Sequence, residues 1–380
     1  MRSVVTRPHL LHRGKNSCAP TQSSLKAIAS DTPPRRSRYP RRPRSGHRWL
    51  SVSPAHGTSC ERKQCDGVLR LVPGSALSGP TVARQVRKQR PDVVAFDSIA
   101  AAFVAPWLRR FPGALVAIIH QSPGGIGHGA VRSVVQRNLD LFTYRRCGRN
   151  IVASKTLIDE LRERGVESET IVFVAPGRDV AATNDAALDL RRGRKSAALC
   201  VANWSEHKGI VELLRAFTLI PGPLCTLHLV GDEEVDPRYA ARVGELLARG
   251  DLAERVVRHG PLPPEKVGAM YRSADMFVLP STREAYGTVY GEAMAAGLPV
   301  VGWNLGNLAH LARKECDGLL LEPGDVAGLA GAITKLSQDG ELRDRMSHSA
   351  RERADSFPTW NESADLFFSL LRALVESTKR

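Results

Sequence analysis

The sequence predicts two doubly wound α/β domains, and three observations predict them. Short apolar runs alternate with amphipathic stretches from about residue 66 onward. A polar stretch, 184–196, breaks this alternation once, after which it restarts. The runs themselves are nearly continuous rather than alternating, as expected of strands buried on both faces of a parallel sheet with helices as crossovers. Two such series joined by a linker make two Rossmann-like units.

The first series has strand candidates at 92–97 (DVVAFD), 114–119 (ALVAII), 150–154 (NIVAS) and 170–175 (TIVFVA). The second has them at 197–203, 226–231, 255–260, 275–280, 298–302 and 318–321. Pro263-Pro264 can open a helix, because the first helical position needs no N–H. Leu329, Ile333 and Leu336 share one face of a helix around 326–338. Ala364, Phe367, Phe368 and Leu371 line one face of a last amphipathic helix, which must dock on something.

The expected domain limits follow from this pattern. Residues 1–65 form an unstructured basic segment, 66–180 a first and apparently truncated domain, and 181–196 a linker. Residues 197–357 form the second domain, and 358–380 a helix packing back toward the first. The first segment holds 14 Lys or Arg and two acids, Asp31 and Glu61. It supplies +12 of the net +15, leaving the remaining 315 residues near +3. The basic charge is therefore a property of a tail that can meet anionic lipid or nucleic acid, not of a basic groove. No nucleic-acid motif accompanies it, so no specific nucleic-acid partner is expected.

The seven cysteines include no CxxC pair, and no cluster has metal-ligand spacing, so neither a disulfide framework nor a metal site is expected. No apolar run approaches the roughly 18 residues of a membrane span. The expected location is the cytoplasm, with peripheral contact at the inner face of the membrane left open.

The motif carrying most chemistry is PSTREAYGTVYGEAMAAGLPVV, residues 280–301. It follows a strand and enters a helix, with Glu284 and Glu292 eight positions apart. If the helix begins near Gly287, the amides of Gly287, Thr288 and Val289 leave its N-terminus unpaired and attract a phosphate. Glu284 then stands beside a sugar hydroxyl, and Glu292 can hold a ribose diol. On spacing alone, a capping carboxylate and a solvated helix face are the favoured explanations of the two acids. A second element, CVANWSEHKGIVELLRAF (200–217), ends a strand and opens a helix at Lys208-Gly209. A cation at a helix start opposes the dipole, which favours a ligand role for Lys208 such as pairing with a diphosphate.

Residues 280–301 closely resemble the Glu-x(7)-Glu motif of glycosyltransferase family 4, including Tyr286-Gly287 and the trailing EAMAAGLPVV. The resemblance extends over about 195–376, through LVGDEE, RHGPL and CDGLLLEPGD. It implies a GT-B fold, a retaining transfer without an assigned nucleophile, and no required metal or cofactor. The donor substrate would be a nucleotide diphosphate sugar, UDP- or GDP-linked. The resemblance also implies donor contacts from Asn203, Lys208, Gly231, Gly260, Leu262, Glu284, Gly287, Thr288, Val289 and Glu292. Glu284, His120 and Lys208 would carry catalysis, with His120 at a strand end near the sugar.

This sequence departs from the family at two places. Asn203 stands where the family usually has an arginine facing the diphosphate, and residues 1–65 show no initial strand with a glycine-rich loop. The expected reaction is transfer of a hexosyl group to a hydroxyl on a glycan, a lipid-linked molecule or a small molecule, as in polysaccharide, glycolipid or cell-envelope glycan synthesis. The alternative is a weak or inactive sugar-nucleotide-binding homologue.

Overall fold

The chain forms two parallel sheets, each filled by the apolar runs read above. The computed structural model describes the backbone of residues 49–52, 63–65, 68–71, 79–98, 105–108, 111–125, 130–180, 187–284 and 286–378. In the N-terminal lobe the strands are β1 (Trp49–Val52), β2 (Lys63–Cys65), β3 (Val68–Leu71), β4 (Val93–Asp97), β5 (Ala114–Ile119), β6 (Arg149–Val152) and β7 (Ile171–Phe173). They lie in the order β2-β3-β1-β4-β5-β6-β7. The pairings are parallel except for β2, which runs antiparallel to β3.

In the C-terminal lobe the strands are β8 (Ser196–Val201), β9 (Cys225–Val230), β10 (Val256–Arg258), β11 (Met276–Val278), β12 (Val300–Trp303) and β13 (Gly318–Leu321). Their order is β10-β9-β8-β11-β12-β13, parallel throughout. This is a doubly wound sheet whose order reverses between β8 and β11. Both lobes fall within one compact unit, Pro40–Arg380.

Each face of the N-terminal sheet has its own core. Val94, Phe96, Ala117, Ile119 and Val152 pack on one side against Val82, Val86, Leu141, Tyr144, Leu157 and Leu161 from helices Gly79–Gln89, Ala130–Tyr144 and Lys155–Glu163. Val93, Ala95, Ala114, Val116 and Ile151 face the other way and meet Leu371, Leu374 and Val375. Those three belong to the final helix, Trp360–Thr378, which follows the C-terminal lobe yet completes the N-terminal core. Deletion of that helix would expose a full sheet face to water.

Two expectations on domain limits are corrected. Strands β1 and β2 lie inside the segment read as unstructured, and β1 sits between β3 and β4, so the first domain begins before residue 66. WLSV is too short to show a period, and its Arg- and Pro-rich surroundings dominate the composition. What specifies it is non-local pairing, with Leu50 opposite both Leu69 and Val94. Residues 1–48 lie outside the described residues. Removing residues 1–65 takes a strand from inside the sheet. We expect that cut to lower the unfolding midpoint by at least ~5 °C, the shift that ~1–2 kcal/mol produces in a domain of this size. Thermal unfolding of the truncated chain checks this, and an unchanged midpoint would place β1 outside the fold.

The second correction concerns the linker, expected at 181–196. Leu190 is buried in the C-terminal core, the Leu188 amide donates to Ser273 Oγ at 3.0 Å, and Arg191 makes a bidentate pair with Asp275 at 2.6 and 2.9 Å. From residue 188 the chain therefore already belongs to the C-terminal lobe. Among the described cysteines, Cys147, Cys200 and Cys225 are buried free thiols.

The C-terminal core also holds buried His228 against half-buried His259. His228 Nε2 donates to the Leu190 carbonyl at 2.7 Å, and its Nδ1 lies 2.9 Å from His259 Nε2. Burial disfavours the charged ring and depresses its pKa to about 4, so above that value the ring is neutral and its Nδ1 accepts from His259 Nε2. A depressed histidine pKa contributes stability that is present above the unfolded value near 6.5 and is lost as pH falls toward 4. We therefore expect the unfolding midpoint to drop over that window, and the slope to flatten in His228→Asn. An unchanged slope would show that the pair does not govern it.

Candidate active site

The switch point of the C-terminal sheet places two loops side by side, 202–209 after β8 and 279–287 after β11. Such crevices at strand carboxyl ends are where open α/β sheets take ligands. The loops are stitched together through one carbonyl. His207 O accepts from the Thr282 amide at 2.8 Å and from Ser281 Oγ at 2.9 Å. Gly209 has φ +70° and caps helix Ile210–Thr218, and a Cβ there would overlap the Pro280 carbonyl. The approach of the two loops thus requires glycine.

Across this seam Lys208 Nζ donates to Glu284 Oε1 at 2.6 Å. The two side chains are only 19% and 14% exposed, so the pair is largely withdrawn from water. Beyond Glu284 the chain turns at Gly287, φ +80°, into helix Thr288–Ala295. Three side chains hold this turn. Asn307 Nδ2 donates to the Tyr286 carbonyl at 2.7 Å, Tyr290 Oη to the Leu279 carbonyl at 2.6 Å, and Tyr271 Oη to Glu292 Oε2 at 3.1 Å. Burial pushes the Glu292 carboxyl above its ordinary pKa, with the Tyr271 bond opposing the rise.

A cleft of about 590 Å³ separates this turn from the N-terminal lobe. Glu284, Gly287, Thr288 and Glu292 line one wall, and His120 and Pro176 the other. His120 follows β5, is mostly exposed, and lies with Nε2 3.6 Å from Asp97 Oδ2 at the end of β4. After it the chain turns through Gly124 and Gly125, both at positive φ, and Asp140 accepts from the Gly124 amide at 2.9 Å. Five expected site residues therefore share one cleft, and Lys208 is joined to it through Glu284.

Other expected donor contacts are not among the cleft lining. Asn203 Oδ1 accepts from the Asp232 amide at 3.0 Å, so its side chain braces the loop after β9. Gly231, φ +145°, donates to the Gly260 carbonyl at 3.0 Å, and a Cβ on Gly231 would overlap the Ala202 carbonyl. Leu262 and Val289 turn their side chains toward the C-terminal core. These residues frame the strand ends, where three loops must approach backbone to backbone. Gly231→Ala combines that overlap with strained φ and is expected to cost about 2–3 kcal/mol of stability. Denaturant unfolding of the variant checks it, and a loss below ~0.5 kcal/mol would contradict the tight approach.

The sequence reading missed that four residues of the final helix, Trp360, Ser363, Ala364 and Phe367, line the cleft. Ser363 Oγ donates to the Ala175 carbonyl at 2.7 Å, and a Cβ on Gly177 would overlap the Trp360 backbone. The amphipathic pattern announced a docking helix but not that its first turns form a wall of the site. Among the described residues, no group of three or more His, Cys, Asp or Glu could hold a metal ion.

Two Rossmann-like lobes with a cleft between their strand ends, closed by a helix returning to the first lobe, define a GT-B fold. Comparisons with known proteins agree. The family model for glycosyl transferases group 1 matches residues 186–353, and that for glycosyltransferase family 4 matches residues 31–182. The chain is 30% identical over 287 residues to a glycogen synthase of Mycobacterium tuberculosis, covering 73% of this chain and 68% of that protein. It is also 30% identical over 234 residues to a D-inositol 3-phosphate glycosyltransferase of Corynebacterium efficiens, covering 56% of this chain and 53%, about half, of that protein.

Among solved structures, the Anabaena protein HepE in complex with UDP and glucose superposes with a TM-score of 0.73 at 19% identity, over 86% of this chain and all of that one. The protein belongs to glycosyltransferase family 4. The family match from residue 31 also reaches into the segment read as tail, in accord with β1.

Proposed function

We propose that the protein transfers a sugar from a nucleoside diphosphate sugar to a hydroxyl acceptor, with retention of configuration. The observation that carries this reading is the Lys208–Glu284 pair at the switch point, beside the Gly287 turn and facing His120 across the cleft. Cleaving the donor leaves negative charge on the diphosphate and positive charge on the sugar. Lys208 and the amides of Gly287, Thr288 and Val289 would take the anion, as unpaired N–H groups at a helix start do. Glu284 and His120 would orient the sugar, and Glu292 the ribose. The solved HepE complex holds UDP and glucose, which supports a UDP-sugar as the first donor to try.

Lys208 is paired with Glu284. Binding then exchanges one charged partner for another: the diphosphate takes Lys208, and the freed carboxylate accepts from the sugar. Assaying a panel of UDP- and GDP-sugars for nucleoside diphosphate release, with the anomer of the product read by NMR, tests this. Release with at least one donor and a retained anomer supports it, and no release from any donor contradicts it. Asn203 favours a second reading, a weak or inactive donor-binding homologue, because it braces a loop where the family usually supplies a cation. Donor binding without turnover would select that reading.

A further inference from the structure

Helix Ala130–Tyr144 exposes an unusual face. Val131 is 81% exposed and Val135 55%, and Val134, Leu139 and Phe142 are exposed beside them. Spaced by three and four residues, these five form one stripe along the helix. The opposite face is satisfied: Leu141 and Tyr144 enter the N-terminal core, and Asp140, the acid of this helix, turns inward to Gly124 and Gln136. Arg132 and Arg137 flank the stripe on its two sides, and Arg145 and Arg146 end it. The Arg146 guanidinium lies 3.9 Å over the Phe142 ring. Half-exposed Trp107 is next to Leu108, which shares a cavity wall with Arg146.

We propose that this helix is a membrane-surface element that seats on an anionic lipid bilayer. An apolar stripe bordered by arginines, without an exposed acid, is the pattern of a helix lying in a bilayer interface. Its valine, leucine and phenylalanine side chains would enter the acyl boundary, and Arg132 and Arg137 would pair with headgroup phosphates, whereas Arg145 is held on the Arg164 and Gly165 carbonyls. A second copy of the chain fits poorly, because a two-fold pairing of this face brings arginines against arginines. The basic segment 1–65, +12 by sequence, has the same sign and so adds to the attraction.

Vesicle co-sedimentation of the full chain tests the proposal, with phosphatidylcholine alone and with a quarter of it replaced by phosphatidylglycerol. The expected result is at least tenfold tighter binding to the anionic vesicles, weakened by salt. Val135→Asp with Phe142→Asp should reduce that binding at least tenfold while leaving the melting temperature and donor hydrolysis unchanged. Arg132→Gln with Arg137→Gln, which keeps the apolar stripe, should reduce the preference for anionic vesicles. Anionic binding that neither variant changes would place the contact elsewhere, for example on the basic segment, and overturn the proposal. It is equally overturned if the protein ignores both vesicles, or if sedimentation shows a dimer that Val135→Asp with Phe142→Asp dissolves.

Discussion

Lys208→Ala is expected to weaken plain nucleoside diphosphate and donor alike, by about 10- to 100-fold. A charge-assisted hydrogen bond to phosphate is worth roughly 1.5–3 kcal/mol. The loss should not depend on the sugar, because the partner proposed for the ammonium is the diphosphate. The structure adds a second consequence. Removing Lys208 leaves the Glu284 carboxylate, 14% exposed, without its 2.6 Å partner beside the proposed phosphate site. An unpaired carboxylate there repels the diphosphate, so the measured loss should lie toward the upper end of that range. Lys208→Arg keeps the charge and should recover part of the affinity, though its planar fork cannot reproduce a compact ammonium. Calorimetric titration with UDP or GDP measures all three proteins. Equal affinity in wild type and Lys208→Ala would remove this residue from the site.

Glu284→Gln should separate binding from turnover in the opposite sense. Turnover is expected to fall by about 10²–10³, the usual cost of losing one group that acts on developing charge. Binding of plain nucleoside diphosphate should become tighter, by about three- to tenfold. A carboxylate that met only the sugar would leave this binding unchanged. The ion pair alters that expectation: glutamine releases Lys208 from a charged competitor that the diphosphate must otherwise displace. Steady-state kinetics together with the same titration checks both halves. Weaker diphosphate binding in a folded Glu284→Gln protein would mean that the carboxylate supports the phosphate site rather than competing with it.

The sequence was most legible where local pattern and tertiary environment agree. The apolar runs at 197–203 and 226–231 became strands because they are buried on both faces, and that burial is what made them continuous. The Gly287 turn was readable through the resemblance of residues 280–301 to the family motif, because on spacing alone its two acids also fit a capping carboxylate and a solvated helix face. The site was less legible wherever it depends on approach between distant segments. Nothing in the spacing of Lys208 and Glu284, 76 residues apart, announces a hydrogen bond. Asn203 read as a weakened phosphate ligand, yet a loop 29 residues away supplies the Asp232 amide that occupies its oxygen. Trp360 entered the cleft because the last helix must cover β4, β5 and β6, a demand set by the sheet rather than by the helix sequence. Strand β1 was hidden for the same reason, since four residues carry no period and their specification lies in β3 and β4.

The central claim is that Lys208 exchanges Glu284 for the donor diphosphate at the switch point of the C-terminal sheet. Its most direct test is a crystal structure with nucleoside diphosphate bound. The account predicts Lys208 Nζ about 3 Å from a phosphate oxygen, no longer on Glu284, with the phosphate against the amides of residues 287–289. A diphosphate bound elsewhere, with the Lys208–Glu284 pair intact, would contradict it.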